Sequence, residues 1–299
     1  VTPAAAGGQA GRAEYILTLS CPDRTGIVHA VAAYLHGAGC NVLDSQQFGD
    51  RMAGRFFMRV HVETVPGPPL TYDSLYGGFA AVAAEFGMEW ELHDTAVQPR
   101  TLIMVSKAGH CLNDLLYRRS AESLRIDVPL VVGNHPDLAA LAAAHGVPFE
   151  YVPAGAPGDP LAAQRSEGRL LDLVSELSID FVVLARYMRI LSPELCAKMA
   201  GRIINIHHSF LPSFKGARPY HQAHAHGVKL IGATAHYVTP DLDEGPIIEQ
   251  EVARVHHADS PEDLAAIGRD AERVALARAV RWHAEHRVLL HGRRTVIFR

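Results

Sequence analysis

Cysteine is scarce and scattered in this sequence, with only Cys21, Cys40, Cys111 and Cys196 among 299 residues and no CxxC pair. That pattern excludes a zinc finger and a disulfide-stapled secreted fold, and it predicts reduced, buried thiols. No sign of charge dominates, since 28 Lys and Arg stand against 32 Asp and Glu for a net charge of −4. A strongly basic nucleic-acid or membrane-surface protein is therefore excluded. Long apolar runs are missing too: stretches such as DFVVLARY fall far short of the roughly 20 residues that cross a bilayer. The N-terminus shows no basic segment followed by an apolar one. The expectation is a cytoplasmic protein without a membrane or nucleic-acid partner.

What is present is ordinary globular material, 48% hydrophobic and 20% charged, at a length that suits two domains of about 150 residues. Residues 1–13, VTPAAAGGQAGRA, are small and aperiodic and read as a disordered tail. From 14 to 94 the pattern runs strand (EYILTLS), loop (CPDRTG), helix (IVHAVAAYLHGAG), two strands around Gly49 and Asp50, a second helix (LTYDSLYGGFAAVAAEFG) and a strand (MEWELHD). The order βαββαβ predicts a small ferredoxin-like domain. Residues 95–100 read as a linker. Over 101–299 the apolar runs TLIMVSK, VPLVVGN, FEYVP, DFVVLARY and RIINIHH alternate with helical stretches. That alternation predicts an α/β domain with a mostly parallel sheet covered on both faces. No internal repeat is visible, and the two halves differ in architecture.

Histidine is abundant, 18 in all, with many between His207 and His257. In RIINIHH the strand period puts Ile203, Asn205 and His207 on one face and Ile204, Ile206 and His208 on the other. A polar pair thus emerges at the C-terminal end of a strand, where open α/β sheets bind ligands. Asn205 offers a neutral amide donor and His207 a titratable imidazole, the ingredients of an oxyanion hole or of acid–base work. A strand-end cap beside a satisfied histidine would look the same. In HYVTPDLDEGPII, Asp241, Asp243 and Glu244 crowd one turn. Such a loop can simply be solvated, or one Asp can orient a neighbouring imidazole, and spacing does not tell which. His221, His224 and His226, with His207, His208 and His236, raise metal binding, but no HExxH or Cys partner accompanies them. The expectation is no metal.

The run INIHHSFLPSFKGARPYHQA, followed by GATAHYVTPDLDEGPII, together with LARYMRILSPE and SKAGHCLNDLL, closely resembles the folate-dependent formyltransferase family and, within it, the 10-formyltetrahydrofolate deformylases. CPDRTGIV with FGDRMAGRFFMRV resembles the amino-acid-binding ACT domain that precedes the hydrolase in that group. The resemblance implies a Rossmann-like formyltransferase domain behind an ACT-like domain, and a role in one-carbon metabolism and purine biosynthesis. The sequence has no GxGxxG, and none is expected, because no dinucleotide is involved. No permanently bound cofactor is implied, and 10-formyltetrahydrofolate would be the substrate.

By the same resemblance Asn205, His207 and Asp243 are the catalytic trio. Met188, Arg189, Ile190 and Leu191 hold the pterin ring, and Val238, Thr239, Asp241 and Leu242 form the opposite wall. The alternative for Arg189 is a surface charge before the helix SPELCAKM. Asp23, Gly26 and Asn41 would contact a small amino-acid effector, in a domain that pairs with its copy in a homo-oligomer. Family members that formylate a phosphorylated amine carry a glycine-rich loop after the first strand of the domain, where backbone N–H groups cradle the phosphate. Here VSKAGHCLNDLL has Gly109 alone, and Lys107 and His110 bring bulk. They either close the acceptor site or point to solvent. Water is the expected acceptor. The rival readings are formyl transfer to an amine and a metabolite sensor with a silent catalytic domain.

Overall fold

The computed structural model describes residues 12–65, 70–155, 160–212 and 219–299. The chain divides into two compact units, Val1–Val97 with Phe298–Arg299, and Gln98–Ile297. Of the tail expected over 1–13, residues 1–11 lie outside the described residues. Ala13 is not loose, because its N–H donates to Thr64 Oγ1 at 3.1 Å.

The first unit comprises β1 (Glu14–Pro22), α1 (Ile27–Gly37), β2 (Cys40–Asp50), β3 (Arg55–Thr64), α2 (Tyr72–Phe86) and β4 (Glu89–Asp94). Its sheet has the order β2-β3-β1-β4, and every pairing is antiparallel. This is the ferredoxin-like arrangement that the βαββαβ pattern predicts. Helix α2 starts where Thr71 and Ser74 close a capping box, which satisfies two otherwise orphaned N–H groups. Its buried face, Leu75, Phe79, Ala83 and Phe86, recurs at helical spacing and packs on Leu17, Leu19 and Leu92 of the sheet. Each such large apolar side chain contributes roughly 1.5–3 kcal/mol by leaving water.

The second unit follows as β5 (Arg100–Val105), α3 (His110–Ser120), β6 (Asp127–Gly133), α4 (Ala139–Ala144), β7 (Phe149–Tyr151), α5 (Pro160–Glu176), β8 (Phe181–Leu184), α6 (Pro193–Lys198), β9 (Ile203–His207), α7 (Pro219–Ala225), β10 (Leu230–Tyr237), β11 (Ile247–Arg254), α8 (Pro261–Ala284), β12 (Val288–His291) and β13 (Arg294–Ile297). The expected linker is one residue too long. Arg100 already belongs to β5, fixed by its guanidinium to Leu177 O at 2.7 Å and to Asp127 at 2.9 Å. The seven-stranded sheet has the order β11-β10-β9-β8-β5-β6-β7. It is parallel from β9 to β7, while β10 and β11 run antiparallel. The apolar runs are continuous because both faces are covered: Phe181 and Val183 enter one core, Val182 and Leu184 the other.

The chain leaves β5 toward β6 and β7 on one side, then returns to build β8 and β9 on the other. The C-terminal ends of β5 and β8 therefore flank a topological switch point, the crevice where such sheets take ligands. The hairpin β12–β13 turns at Gly292 and was not expected from the sequence, where its short apolar runs trail a long helical pattern. No helix among the described residues is long and apolar enough to cross a membrane.

Candidate active site

A cleft of about 250 Å³ opens over the C-terminal ends of β8 and β9. Three segments build it. The first is the loop after β8, where Arg186 takes φ +64° and turns the chain across the sheet edge. Met188 N–H donates to Ser106 Oγ at 3.0 Å, and Arg189 Nη2 to Ala154 O at 2.9 Å. Arg189 is thus pinned beside the cleft, not a free surface charge. Met188 and Ile190 stand largely exposed, as does Leu242 opposite them. They give the cleft an apolar rim that suits a flat ring system.

The second segment is the end of β9. Asn205 lies directly opposite His236 of β10, and His207 opposite Thr234. Cross-strand partners share a face, so Asn205 Nδ2 meets His236 Nε2 at 3.2 Å. His236 Nδ1 is 2.9 Å from Tyr237 O, which assigns its proton to Nδ1 and leaves Nε2 to accept from Asn205. The Asn205 amide is thereby oriented, with one N–H to spare. Thr234 Oγ1 donates to Ser209 O at 2.9 Å and accepts from Leu211 N–H at 3.1 Å, so the chain after His207 is clamped as well.

The third segment is the loop from β10 to β11. Gly245 lets it close, because a Cβ there would stand 1.8 Å from Tyr237 O. Asp243 sits in the left-handed region at φ +56°, and its carboxylate reaches His207 Nδ1 at 3.3 Å and His236 Nε2 at 3.7 Å. The His207 contact is the productive one. At 3.7 Å the second is too long for a hydrogen bond, and it competes with the Asn205 donation to the same nitrogen. Burial works against ionisation of Asp243, but the imidazole of His207 outweighs it and holds the carboxyl well below the usual range. His207 is 7% exposed. With its Nδ1 facing Asp243, its Nε2 is buried without a hydrogen-bond partner among the described residues.

Asn205, His207 and Asp243 therefore converge, as do Met188, Arg189, Ile190, Leu191, Val238, Thr239 and Leu242 around the same cleft. Three expectations need correction. Asp241, read as part of the wall, is exposed and does not line the cleft; of the three carboxylates in the turn, Asp243 alone does. Lys107 is exposed and does not line the cleft, whereas His110 turns inward to a carboxylate on α8. His208 does not take the opposite face from His207. Strand β9 ends at His207, so the period of two lapses, and the two rings stack at 5.0 Å within the same cleft. Burial, with Arg186 and His207 nearby, pushes the His208 imidazole down to about 4, so it is neutral at pH 7.

In the first unit, Asp23 and Gly26 follow the end of β1, whereas Asn41 opens β2 against Glu63. β1 and β2 run in the same direction, so one protomer holds these groups at opposite ends of its sheet. His221, His224 and His226 are exposed and off the cleft. His110, Cys111 and Glu272 do bring ligand atoms within 4.8 Å of one another. Burial raises the Cys111 thiol far above its usual value, and Arg186 beside Glu272 opposes a cation there. The functional candidates that sequence reasoning missed are Arg186, Glu272 and the positioning role of His236. The only local signal for His236 was a histidine inside the otherwise apolar strand GATAHYV.

Known proteins resemble this chain along most of its length. The formyl transferase family model matches residues 99–280. The formyltetrahydrofolate deformylase of Corynebacterium sp. (strain P-1) is 48% identical over 95% of this chain and 98% of its own. The crystal structure of formyltetrahydrofolate deformylase from Burkholderia mallei superposes with a TM-score of 0.90 at 50% identity, covering 96% of this chain and 100% of that one. Glycinamide ribonucleotide transformylase 1 from Symbiobacterium toebii is more distant, with a TM-score of 0.63 and 31% identity over 70% of this chain and 98% of that one. With identity near one half along nearly the whole length, and a small ferredoxin-like unit preceding the formyltransferase sheet, the chain belongs to the formyltetrahydrofolate deformylases, a family of hydrolases.

Proposed function

We propose that this chain hydrolyses 10-formyltetrahydrofolate to formate and tetrahydrofolate, with Asn205, His207 and Asp243 as its catalytic groups. The observation that carries the reading is the convergence of those three side chains, from β9 and the β10–β11 loop, in a cleft with an apolar rim. The pterin ring lies against Met188, Ile190 and Leu242, and the formyl group points to the end of β9. Water attacks the formyl carbon, and the charge that develops on the formyl oxygen meets the spare N–H of Asn205 and the Nε2–H of His207. Each preorganised donor of this kind lowers the barrier by about 2.7–4 kcal/mol. Asp243 stabilises the charged imidazole through Nδ1, and the departing nitrogen, a poor base, takes its proton by way of His207 or water.

The experiment is formate release from 10-formyltetrahydrofolate with no amine present, repeated with glycinamide ribonucleotide added. Formate is expected at the same rate in both, with no formylated amine. A formylated product appearing as fast as formate would make the chain a transferase, and no release of formate at all would leave the sensor reading.

The first unit is proposed to bind a small amino acid and to pair with its copy. Its edge strand β2 supports the pairing, because it leaves Val42, Leu43 and Phe48 exposed. Binding would then join the β1–α1 loop of one protomer to the start of β2 in another, which would reconcile the separation of Asp23 and Gly26 from Asn41. Calorimetric titration with glycine, serine and methionine should give heat with one of them. Silence from all three, with no change in turnover, would leave a purely structural unit.

A further inference from the structure

One cation in the cleft has no part in the chemistry above. Arg186 lines the cleft beside His207 and His208, with its side chain 17% exposed and its Nε 3.4 Å from Glu272 Oε2. Glu272, 1% exposed on α8, is already well served, by His110 Nε2 at 2.7 Å and by the Tyr220 hydroxyl at 2.9 Å. Gly268, one turn earlier on α8, admits Tyr220, since a Cβ there would lie 2.0 Å from its hydroxyl. Burial opposes the charge on Glu272, yet His110, Arg186 and Tyr220 together hold its carboxyl below the usual value.

Arg186 gains less from this arrangement than it gives. Its Nε and Nη1 are buried and find no hydrogen-bond acceptor among the described residues. Guanidinium donors buried without a hydrogen bond are costly, and a non-glycine residue at φ +64° adds backbone strain. Neutralising Glu272 accounts for the charge but not for Nη1, which has no acceptor among the described residues. A group kept at such cost beside a catalytic histidine fits a ligand that arrives bearing acceptors.

We propose that Arg186 binds the carboxylate that hydrolysis creates, holding formate, and the anionic oxygen pair that precedes it, by the guanidinium edge turned away from Glu272. This rests on the hydrolytic reading given above. The water oxygen bonds to the formyl carbon. The bond from that carbon to the folate nitrogen then breaks, and its electron pair stays on the nitrogen. Of the two water protons, one goes to that nitrogen and one to solvent. The two oxygens on carbon share a single negative charge as formate. Transfer to an amine would instead end in a neutral formamide. A planar guanidinium matches a planar carboxylate through two parallel N–H···O bonds, so Arg186 stabilises the product of water attack and offers nothing comparable to the product of amine attack.

The test is titration of sodium formate into the full chain, read by calorimetry and by line broadening of 13C-labelled formate. The wild type should saturate. R186G, in which glycine accepts the positive φ, should bind formate at least roughly tenfold more weakly. Its kcat should fall roughly ten- to hundredfold while KM for the folate stays within about twofold. R186K keeps the charge without the fork, and should fall between the two in formate affinity; it also carries the test should R186G fold poorly. Equal formate affinity in the wild type and either variant overturns the proposal, as does the absence of saturable binding to the wild type below roughly 0.1 M. Formate release by the wild type is measured separately, so failure of the hydrolytic reading is distinguishable from failure of this one.

Discussion

Asp243→Asn is expected to cut kcat by about 10²–10⁴-fold while leaving the unfolding midpoint nearly unchanged. Two features separate the chemical loss from a folding defect. Asp243 holds φ +56°, a region that Asn tolerates better than any other residue except Gly, so the turn keeps its shape. The carboxylate is also the anionic partner of His207 at 3.3 Å, and Asn cannot balance a charged imidazole in the transition state. Asp241→Asn serves as the control. It lies two residues away in the same loop, exposed and off the cleft, and should change kcat by less than about twofold, as surface substitutions usually do. Steady-state rates of formate release for the two variants, beside circular dichroism of each, decide the matter. Equal losses at both positions would mean that the carboxylate has been misassigned.

His207→Ala should cost more than any other single truncation in the cleft, about 10³–10⁴-fold in kcat/KM. It removes a donor to the developing oxyanion, the carrier of the leaving-group proton and the partner of Asp243 at once. His208→Ala should cost about tenfold at most, because its neutral ring supports His207 by stacking at 5.0 Å and has no bond to Asp243. Since His207 and Asp243 act as one unit, the double variant His207→Ala with Asp243→Asn should be little slower than His207→Ala alone. A double variant slower by the product of the two single losses would show that the residues act independently. A larger loss at His208 than at His207 would transfer the central role to the second histidine.

Much of the architecture was legible because it depends on local periodicity. The alternation of short apolar runs with helical stretches announced both the ferredoxin-like unit and the mostly parallel sheet, and the period of two put Asn205 and His207 on one face at a strand end. The same rule failed one residue later. Periodicity holds only while the strand lasts, and nothing local says that β9 stops at His207. The turn TPDLDEG offered three carboxylates, and composition could not choose among them. The choice lay in the backbone, where the left-handed conformation at Asp243 and the close approach allowed by Gly245 aim one side chain inward.

By itself, then, the sequence determined the two-domain plan, the strand end that carries Asn205 and His207, and the loop that supplies an aspartate. The tertiary structure alone decided what converges on them. His236 orients Asn205 only because β10 pairs with β9 in one register. The group around Glu272 draws His110 from α3, Tyr220 from α7 and Arg186 from the turn after β8, and His110 lies 162 residues away from Glu272 in the chain. Side chains so distant leave no periodic trace, because each segment is shaped by its own neighbours until packing of the sheet and α8 brings them within hydrogen-bonding range.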